Sequence, residues 1–447
     1  MIGSTIRAPV RRLADLVANR ALQDAGIIFG GNIVAQGISF VAGMIVIRHF
    51  QSPDLKPQYA MLSLAMAVMS MFTSYSILGM NAGIIRFGAL YLKEKPKRAH
   101  LIFRVNVEVK TAVGLLVTLA GAGLATWLAR WMFDAGDLSW VVRIAFIGVL
   151  GGTVLDAMQI IMQTHQKFVR TSIQLVSVQA ARLMGIVAMI LLGVVTGRRL
   201  LIFYVTLPYV GALVGFLLAP KDFLRARGSR WDVVREQASF SVWVILSAAC
   251  TILTGRLGIL LLKRMAQDMV IVANYSAAFT LIMPLKLVVI AMCQAFMPRV
   301  ARIKDTRHFW GYLGKVTALA LLLIAVMTPM LWLIRYPIEW KLEGYVESIP
   351  IFQILAVSVF IDLLIVPAGL VVYSLNKTYF GAILNMAQLA CFIVVARLCI
   401  PRWGAEGAAA AEVAIRLLGL AYMGALVPIL LWRRGKRERR AATEKEG

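Results

Sequence analysis

The sequence predicts an all-α polytopic membrane protein of about twelve transmembrane helices, arranged as two six-helix bundles around a central cavity. Hydrophobic residues make up 60% of the 447 residues and charged residues only 15%, and the mean hydropathy is +0.78. Soluble domains are closer to half apolar and a quarter charged. Apolar runs of about 20 residues, long enough to cross a hydrocarbon core as a helix, recur from Ile27 to Leu431.

Short polar breaks separate these runs and carry turn-forming residues, such as QSPD at 51–54 and DAGD at 134–137. Inside a bilayer the backbone must satisfy its own hydrogen bonds, and a helix does so within one segment. Each run is therefore predicted to be one helix. The predicted spans are 25–48, 58–80, 106–129, 138–163, 169–196, 200–219, 238–262, 269–296, 313–335, 349–374, 379–400 and 405–431.

The basic residues are unevenly distributed between the breaks. Most of the 47 Lys and Arg residues fall in the N-terminal arm, in the loops after even-numbered spans and in the C-terminal tail. The positive-inside rule then places both termini on the cytoplasmic side of a bacterial inner membrane. An even number of spans agrees with this, because it requires both termini to lie on the same side. The net charge of +25 is thus assigned to topology and to anionic lipid headgroups, and no nucleic-acid partner is expected.

The long basic loop after span six divides the chain in the middle. We predict an N-terminal six-helix bundle (1–220), a cytoplasmic linker loop (221–237), a C-terminal six-helix bundle (238–432) and a basic cytoplasmic tail (433–447). Transporters often bind substrate between such halves. No segment outside the spans is long enough to fold as a separate domain.

Catalytic and metal-binding patterns are not apparent in the sequence. The four cysteines lie within apolar runs and the four histidines are far apart, so neither a disulfide framework nor metal-ligand spacing is indicated. No P-loop or nucleophile motif is present. We therefore expect no enzyme activity, no cofactor and no metal site.

Three stretches together resemble the polysaccharide exporters, or Wzx-type flippases, of the multidrug/oligosaccharidyl-lipid/polysaccharide (MOP) superfamily. The first is YAMLSL at 59–64, leading to LGM at 78–80 and to Arg86 and Phe87. The second is ANYSAA at 273–278, running to AFMP at 295–298, and the third is WGAEGAAAA at 403–411. The resemblance extends over about residues 22–431 and implies alternating-access movement of a lipid-linked sugar between leaflets. Many relatives carry an aspartate in the seventh helix where this chain has Arg256.

Charged residues within spans are costly in lipid, by about 2.5–3.5 kcal/mol each on insertion scales, and usually face a cavity or a partner. A lipid-linked glycan carries a pyrophosphate, for which arginine is a suitable bidentate partner. The predicted substrate-binding cavity charges are Arg182, Lys286, Arg256, Arg397 and Arg416. The predicted coupling or neutralising acids are Asp362, Asp156 and Glu412, with Asp362 taken as a titratable acid or as the counter-charge of Lys286.

Structural roles remain open for several of these charges. Glu412 and Arg416 are four residues apart on one helix and can form a local pair. Asp156 on span four and Arg182 on span five can pair between antiparallel neighbours. Arg256 and Arg397 lie nearer the predicted outer ends, where a long side chain can reach the interface instead of a cavity.

The resemblance therefore implies a flippase for a polyprenyl-pyrophosphate-linked oligosaccharide that serves surface polysaccharide synthesis. Two alternatives stay open at this stage: a drug/cation antiporter of the same superfamily, and a polytopic glycan transferase or polymerase. The implied partners are the lipid-linked glycan, membrane lipids and, in the cell, a polysaccharide polymerase with other assembly proteins.

Overall fold

The computed structural model describes residues 20–77, 80–300, 303, 306–375 and 378–446, and over these residues it is helical with turns and irregular connections but no strand. The N-terminal arm before Arg20 and part of the predicted LGM motif at 78–80 lie outside the described residues. The helices are α1 (Arg20–His49), α2 (Lys56–Ser76), α3 (Met80–Gly83), α4 (Ala89–Glu94), α5 (Pro96–Gly123), α6 (Ala125–Phe133), α7 (Ser139–Thr164), α8 (Phe168–Leu191), α9 (Gly197–Leu218), α10 (Arg230–Ala266), α11 (Met269–Leu281), α12 (Met283–Val300), α13 (Thr306–Met327), α14 (Met330–Leu333), α15 (Arg335–Lys341), α16 (Ser348–Ser374) and α17 (Thr378–Glu446).

The prediction of an all-α, multi-pass membrane protein is confirmed. Among the described residues, nine helices are long and apolar enough to cross a membrane, or ten if the bent pair α11–α12 is one span. One of the nine, Tyr379–Lys436, is 58 residues long and contains the predicted spans eleven and twelve. Helix α2 is not among the nine, because serines and tyrosines dilute its apolar stretch. The arrangement is consistent with twelve spans.

Several helix ends differ from the predicted boundaries for identifiable reasons. The third span begins ten residues earlier than predicted, with Pro96 in its first turn, a position that proline favours. Helix α10 begins at Arg230, inside the segment predicted as a linker loop, and Asp232 lies in its first turn. An acidic side chain there stabilises a helix start, so the helix extends beyond the apolar run. The division into two bundles itself remains a prediction.

Prolines lie next to two helix breaks in the second half of the chain, the one between α11 and α12 and the one after α13. Helices α11 and α12 are bent by 42° at Ile282, and Pro284 follows in the first turn of α12. Proline lacks the amide hydrogen that would continue the hydrogen-bond ladder, which explains the break. In the same way α13 ends at Met327, just before Pro329.

The long helix α17 is interrupted at Gly404, where φ is 53° and ψ is −123°, close to the start of the 403–411 motif. Residues with a Cβ atom rarely adopt this conformation. We expect Gly404→Ala to destabilise the protein by about 1–3 kcal/mol, measured as a lower apparent Tm in detergent. Gly424→Ala is the matched control, because no other heavy atom lies within 4 Å of the added Cβ. Equal Tm shifts for the two variants would contradict the conclusion that the backbone conformation at position 404 requires glycine.

The packing of the core distinguishes the two ends of the bundle. We call α1–α9 the first set, α10–α17 the second set, the end at which α17 finishes the tail end, and the other end the distal end. The largest apolar cluster joins both sets at the distal end, through residues such as Phe50 and Tyr345. At the tail end one cluster belongs to the second set, and another to the first set with Val233 at the start of α10. The sets are thus packed together distally and have separate cores at the tail end.

Candidate functional site

A cavity of about 260 Å³ lies between the two sets of helices. Its walls come from α1, α2, α8 and α9 of the first set and from α10, α11 and α12 of the second. The glycines Gly43 and Gly255 contribute to the lining. A Cβ at Gly43 would lie 2.9 Å from the Thr280 side chain, which shows how closely α1 approaches α11. The polar side chains in the lining are Gln36, Ser39, Tyr59, Ser63, Arg182, Tyr204, Arg256, Tyr275, Ser276 and Thr280.

Arg182 lies in the wall formed by the first set, where neighbouring side chains fix its orientation. Its Nη1 donates a hydrogen bond of 3.2 Å to Ser39 Oγ. The guanidinium lies 4.3 Å above the centre of the Tyr204 ring, a cation–π contact that arginine forms readily. Its Nε is buried and has no hydrogen-bond partner among the described residues. Ser39 and Tyr204 therefore hold the head group in place, and its Nε is enclosed by the surrounding helices.

Arg256 faces the same cavity from α10, in the second set. No carboxylate lies within ion-pair distance of Arg182 or Arg256 in the described part of the chain, and no acidic residue is among the cavity-lining residues. Two guanidinium groups without counter-charges make the cavity a favourable place for an anion, and fixed positive charges are unfavourable for an organic cation. The structure therefore brings together two of the five predicted cavity cations.

A second group of charges, formed only by the second set, contains Lys286, Asp362, Glu412 and Arg416. Arg416 Nε lies 3.3 Å from Asp362 Oδ1, and Arg416 Nη2 lies 3.7 Å from Glu412 Oε2. The local Glu412–Arg416 pair that the spacing suggested is thus present, and Asp362 joins it. Lys286 forms no ion pair within 4 Å in the described part of the chain, so its predicted pairing with Asp362 is not a close contact. Lys286 Nζ lies 3.9 Å from the centre of the Phe279 ring, and Phe279 lines the cavity.

The contacts of Arg416 lead to a stability prediction. Arg416→Met leaves both Asp362 and Glu412 without their cation, whereas Lys286→Met removes a cation that forms no close ion pair in the described structure. We expect Arg416→Met to cost about 3 kcal/mol, with a clearly smaller loss for Lys286→Met. Apparent Tm values in detergent measure the difference. If Lys286→Met destabilises the protein as much, Arg416 is not the shared partner of the two acids.

Asp156 belongs to a separate polar cluster within the first set. Its Oδ2 lies 2.6 Å from Lys110 Nζ, which also donates a 2.6 Å hydrogen bond to Asn81 Oδ1. Asn81 Nδ2 in turn donates to Asp156 Oδ1 at 3.1 Å. The side chain of Lys110 is 0% exposed and that of Asp156 is 26% exposed. The partner of Asp156 is therefore Lys110, and the pairing with Arg182 that the sequence left open is not formed.

Arg397 does not line the cavity. It lies on an exposed face of α17 towards the distal end, where its long side chain can extend to the membrane interface. Of the predicted site residues, Arg182 and Arg256 line the cavity and Lys286 lies behind its Phe279 wall. Asp362, Glu412 and Arg416 form the ion-paired cluster in the second set.

Sequence reasoning missed three features of the site. Ser39 and Tyr204, which orient Arg182, are ordinary residues in apolar helices and give no signal in one sequence. The position of Lys110 does indicate an intramembrane ion pair. It is a lone lysine near the start of the predicted third span, and the next, antiparallel span carries Asp156. An intramembrane lysine of this kind requires a partner.

Comparison with known families gives one match that covers most of the chain. A family model described as "Polysaccharide biosynthesis protein" matches residues 21–304, well over half of the 447 residues. No curated protein matches the chain significantly.

Several solved structures have a similar fold at low sequence identity. The lipid II flippase MurJ in an inward closed conformation is 11% identical, with a TM-score of 0.70 over 89% of this chain and 86% of that one. An inward-facing multidrug resistance transporter of the MATE family is 13% identical, with a TM-score of 0.63 over 91% and 95%. A MOP superfamily transporter from Pyrococcus furiosus is 12% identical, with a TM-score of 0.61 over 94% and 96%.

Proposed function

Because the chain belongs to the polysaccharide biosynthesis protein family and has the fold of MOP transporters, we propose that it moves a polyprenyl-pyrophosphate-linked oligosaccharide across the bacterial inner membrane by alternating access. The observation that carries this proposal is the cavity between the two helix sets, lined by Arg182 from the first set and Arg256 from the second, with no carboxylate in its lining.

The pyrophosphate of the proposed substrate is the group that suits this cavity. A pyrophosphate is compact and doubly charged, and its oxygens accept paired hydrogen bonds from a planar guanidinium. Arg182 lines the cavity and is held by Ser39 and Tyr204, so little side-chain entropy is lost on binding. In this proposal the two arginines bind the pyrophosphate, and the hydroxyls of Tyr59, Tyr275 and Ser276 face the first sugar.

The remaining charges have supporting roles in the proposal. The Lys286–Asp362–Glu412–Arg416 group is balanced, with two cations and two acids, so it adds little net field to the cavity. Asp362 and Glu412 neutralise Arg416 in the conformation described, and Asp156 neutralises Lys110. Asp362, which is partly exposed, is the acid proposed to couple transport to an ion gradient.

The topology and the partners follow from the same proposal. Both termini lie in the cytoplasm, the glycan enters at the tail end, and it leaves at the distal end towards a polymerase and other assembly proteins. The drug/cation antiporter remains the rival function because the fold also matches a MATE transporter. Unpaired guanidiniums in the cavity disfavour a cationic drug. A transferase or polymerase would need catalytic groups, which the cavity does not offer.

The test is a clean deletion of the gene in its native host, followed by extraction of polyprenyl-linked sugars. We expect a complete lipid-linked repeat unit to accumulate on the cytoplasmic leaflet and surface polysaccharide to be lost. Unchanged lipid-linked sugars and unchanged surface polysaccharide would contradict the proposal, and greater susceptibility to cationic drugs would then favour the antiporter.

A further inference from the structure

A short segment of the second set lies against the α1–α2 loop of the first set at the distal end. This segment, residues 343–347, follows α15 and precedes α16, and it begins with a single helical turn, Glu343–Tyr345. Its Tyr345 side chain is 0% exposed and belongs to the largest apolar cluster. A fully buried tyrosine in a connection between two helices is unusual, because such connections normally lie at the surface.

The side chain of Tyr345 reaches across to the first set. Its hydroxyl donates a 3.1 Å hydrogen bond to the backbone oxygen of Phe50. Burial raises the pKa of this hydroxyl, so it stays protonated and keeps its role as donor. The ring meets the Tyr59 ring edge-on at 6.1 Å, and Lys56 Nζ lies 5.2 Å from its centre. Since Tyr59 lines the cavity, Tyr345 lies directly behind the distal wall of the cavity.

The neighbouring residues bring the two backbones into close contact. A Cβ atom on Gly344 would lie only 2.0 Å from the backbone oxygen of Gln51, so any side chain at this position prevents the observed approach. Gly344 does not have a positive φ, and its requirement for glycine therefore comes from this contact alone. Glu347 accepts a 2.5 Å hydrogen bond from Asn274, which ties the segment to α11.

The segment is also anchored from the membrane side. Three large aromatic side chains before it, Trp332, Tyr336 and Trp340, are between 71% and 74% exposed. In the same stretch, Ile338 and Leu342 are buried. Exposed tryptophan and tyrosine favour the membrane interface. One face of this stretch is thus directed to the interface, and the other leads into the bundle towards Tyr345.

From these contacts we propose that residues 343–347 form a latch, which closes the distal end of the cavity by binding the α1–α2 loop and must withdraw before the cavity opens to that side. At the tail end the two sets have separate cores, so the distal contacts hold the present conformation. Alternating access requires the distal ends to separate. That separation breaks the Tyr345–Phe50 hydrogen bond and the Gly344–Gln51 contact together.

The test measures access to the cavity from the distal side. In a chain whose four native cysteines (Cys250, Cys293, Cys391 and Cys399) are replaced, Ser63→Cys places one thiol on the cavity wall. A membrane-impermeant maleimide is applied to vesicles on the face opposite the C-terminal tail, and the rate of labelling is recorded. In this background Gly344→Ala and Tyr345→Phe are compared with Gly424→Ala, whose added methyl group meets no atom within 4 Å.

We expect Gly344→Ala to raise the distal labelling rate by about tenfold or more, because the overlap with Gln51 cannot be relieved in the closed state. Tyr345→Phe loses one hydrogen bond and keeps the ring, so its rate rises by about fivefold. Gly424→Ala leaves the rate unchanged. Unchanged labelling in Tyr345→Phe overturns the proposal, and so does unchanged labelling in a folded Gly344→Ala protein. If Gly344→Ala fails to fold, Tyr345→Phe decides alone.

The latch goes beyond the proposed substrate, since it rests only on alternating access. The labelling assay contains no glycan, so a substrate other than a lipid-linked oligosaccharide would not alter its outcome. Conversely, a labelling rate that does not respond to these variants leaves the glycan proposal intact.

Discussion

Arg182→Gln and Arg256→Gln are each expected to lower glycan transport by about 10- to 100-fold. A hydrogen bond to a charged group contributes about 1.5–3 kcal/mol, and each 1.4 kcal/mol corresponds to a factor of ten. Glutamine keeps some hydrogen-bonding capacity on a shorter side chain, so the change removes the charge and the guanidinium group together. The measurement is the amount of surface polysaccharide restored in the deletion strain, normalised to the amount of protein in the membrane.

Arg397→Gln is the matched control for this pair. It removes the same charge from a transmembrane helix, but Arg397 is exposed near the distal end and does not line the cavity. Transport close to that of the unmodified protein is expected. Equal losses of transport in the Arg182, Arg256 and Arg397 variants would show that transport depends on overall positive charge and not on the cavity. Full transport by Arg182→Gln would contradict the proposal that the cavity binds the substrate.

The second large effect concerns the Lys110–Asp156 pair. Asp156→Asn leaves Lys110 with a charge in an environment where its side chain is 0% exposed. Breaking a buried pair by removing one partner costs about 3–5 kcal/mol, whereas replacing both partners by apolar residues is often neutral. We therefore expect a large fall in apparent Tm for Asp156→Asn and recovery of most of it in the double variant Lys110→Met with Asp156→Leu.

Glu108→Gln provides the control for that comparison. Glu108 lies two residues before Lys110 on the same helix and forms ion pairs with Arg104 and Arg230, but its side chain is 36% exposed. Exposed pairs contribute about 0–1 kcal/mol, so little change is expected. A stable Asp156→Asn protein, or a double variant no better than the single one, would contradict the view that Lys110 depends on Asp156.

Much of the fold was predictable because lipid imposes a strong and simple constraint. An apolar run of about 20 residues must be helical in a bilayer, and this rule located the runs that became α7, α8 and α16 with small errors at their ends. The errors occur where polar residues continue a helix outside lipid. Helix α5 begins at Pro96 and α10 at Arg230, and hydropathy carries no information about such turns.

The site was less predictable because charge pairing depends on depth and rotation, which one sequence does not give. Arg182 was correctly selected as an intramembrane cation, but its contacts with Ser39 and Tyr204 join three helices whose relative rotation is set by packing. Asp362 was selected on the same grounds, as a titratable acid or as the counter-charge of Lys286, and its close ion pair is with Arg416. The i,i+4 pair Glu412–Arg416 was identified because helical spacing alone brings those two residues together.

In the proposed function, a cationic cavity binds the pyrophosphate of a lipid-linked glycan. The most direct measurement uses the purified protein in proteoliposomes with a fluorescent polyprenyl-pyrophosphate oligosaccharide and a membrane-impermeant quencher. We predict that the protein exposes lipid from the inner leaflet to the quencher, and that the Arg182→Gln, Arg256→Gln double variant does so at least about 100-fold more slowly. No flipping by the unmodified protein, or equal flipping by the double variant, would contradict the account.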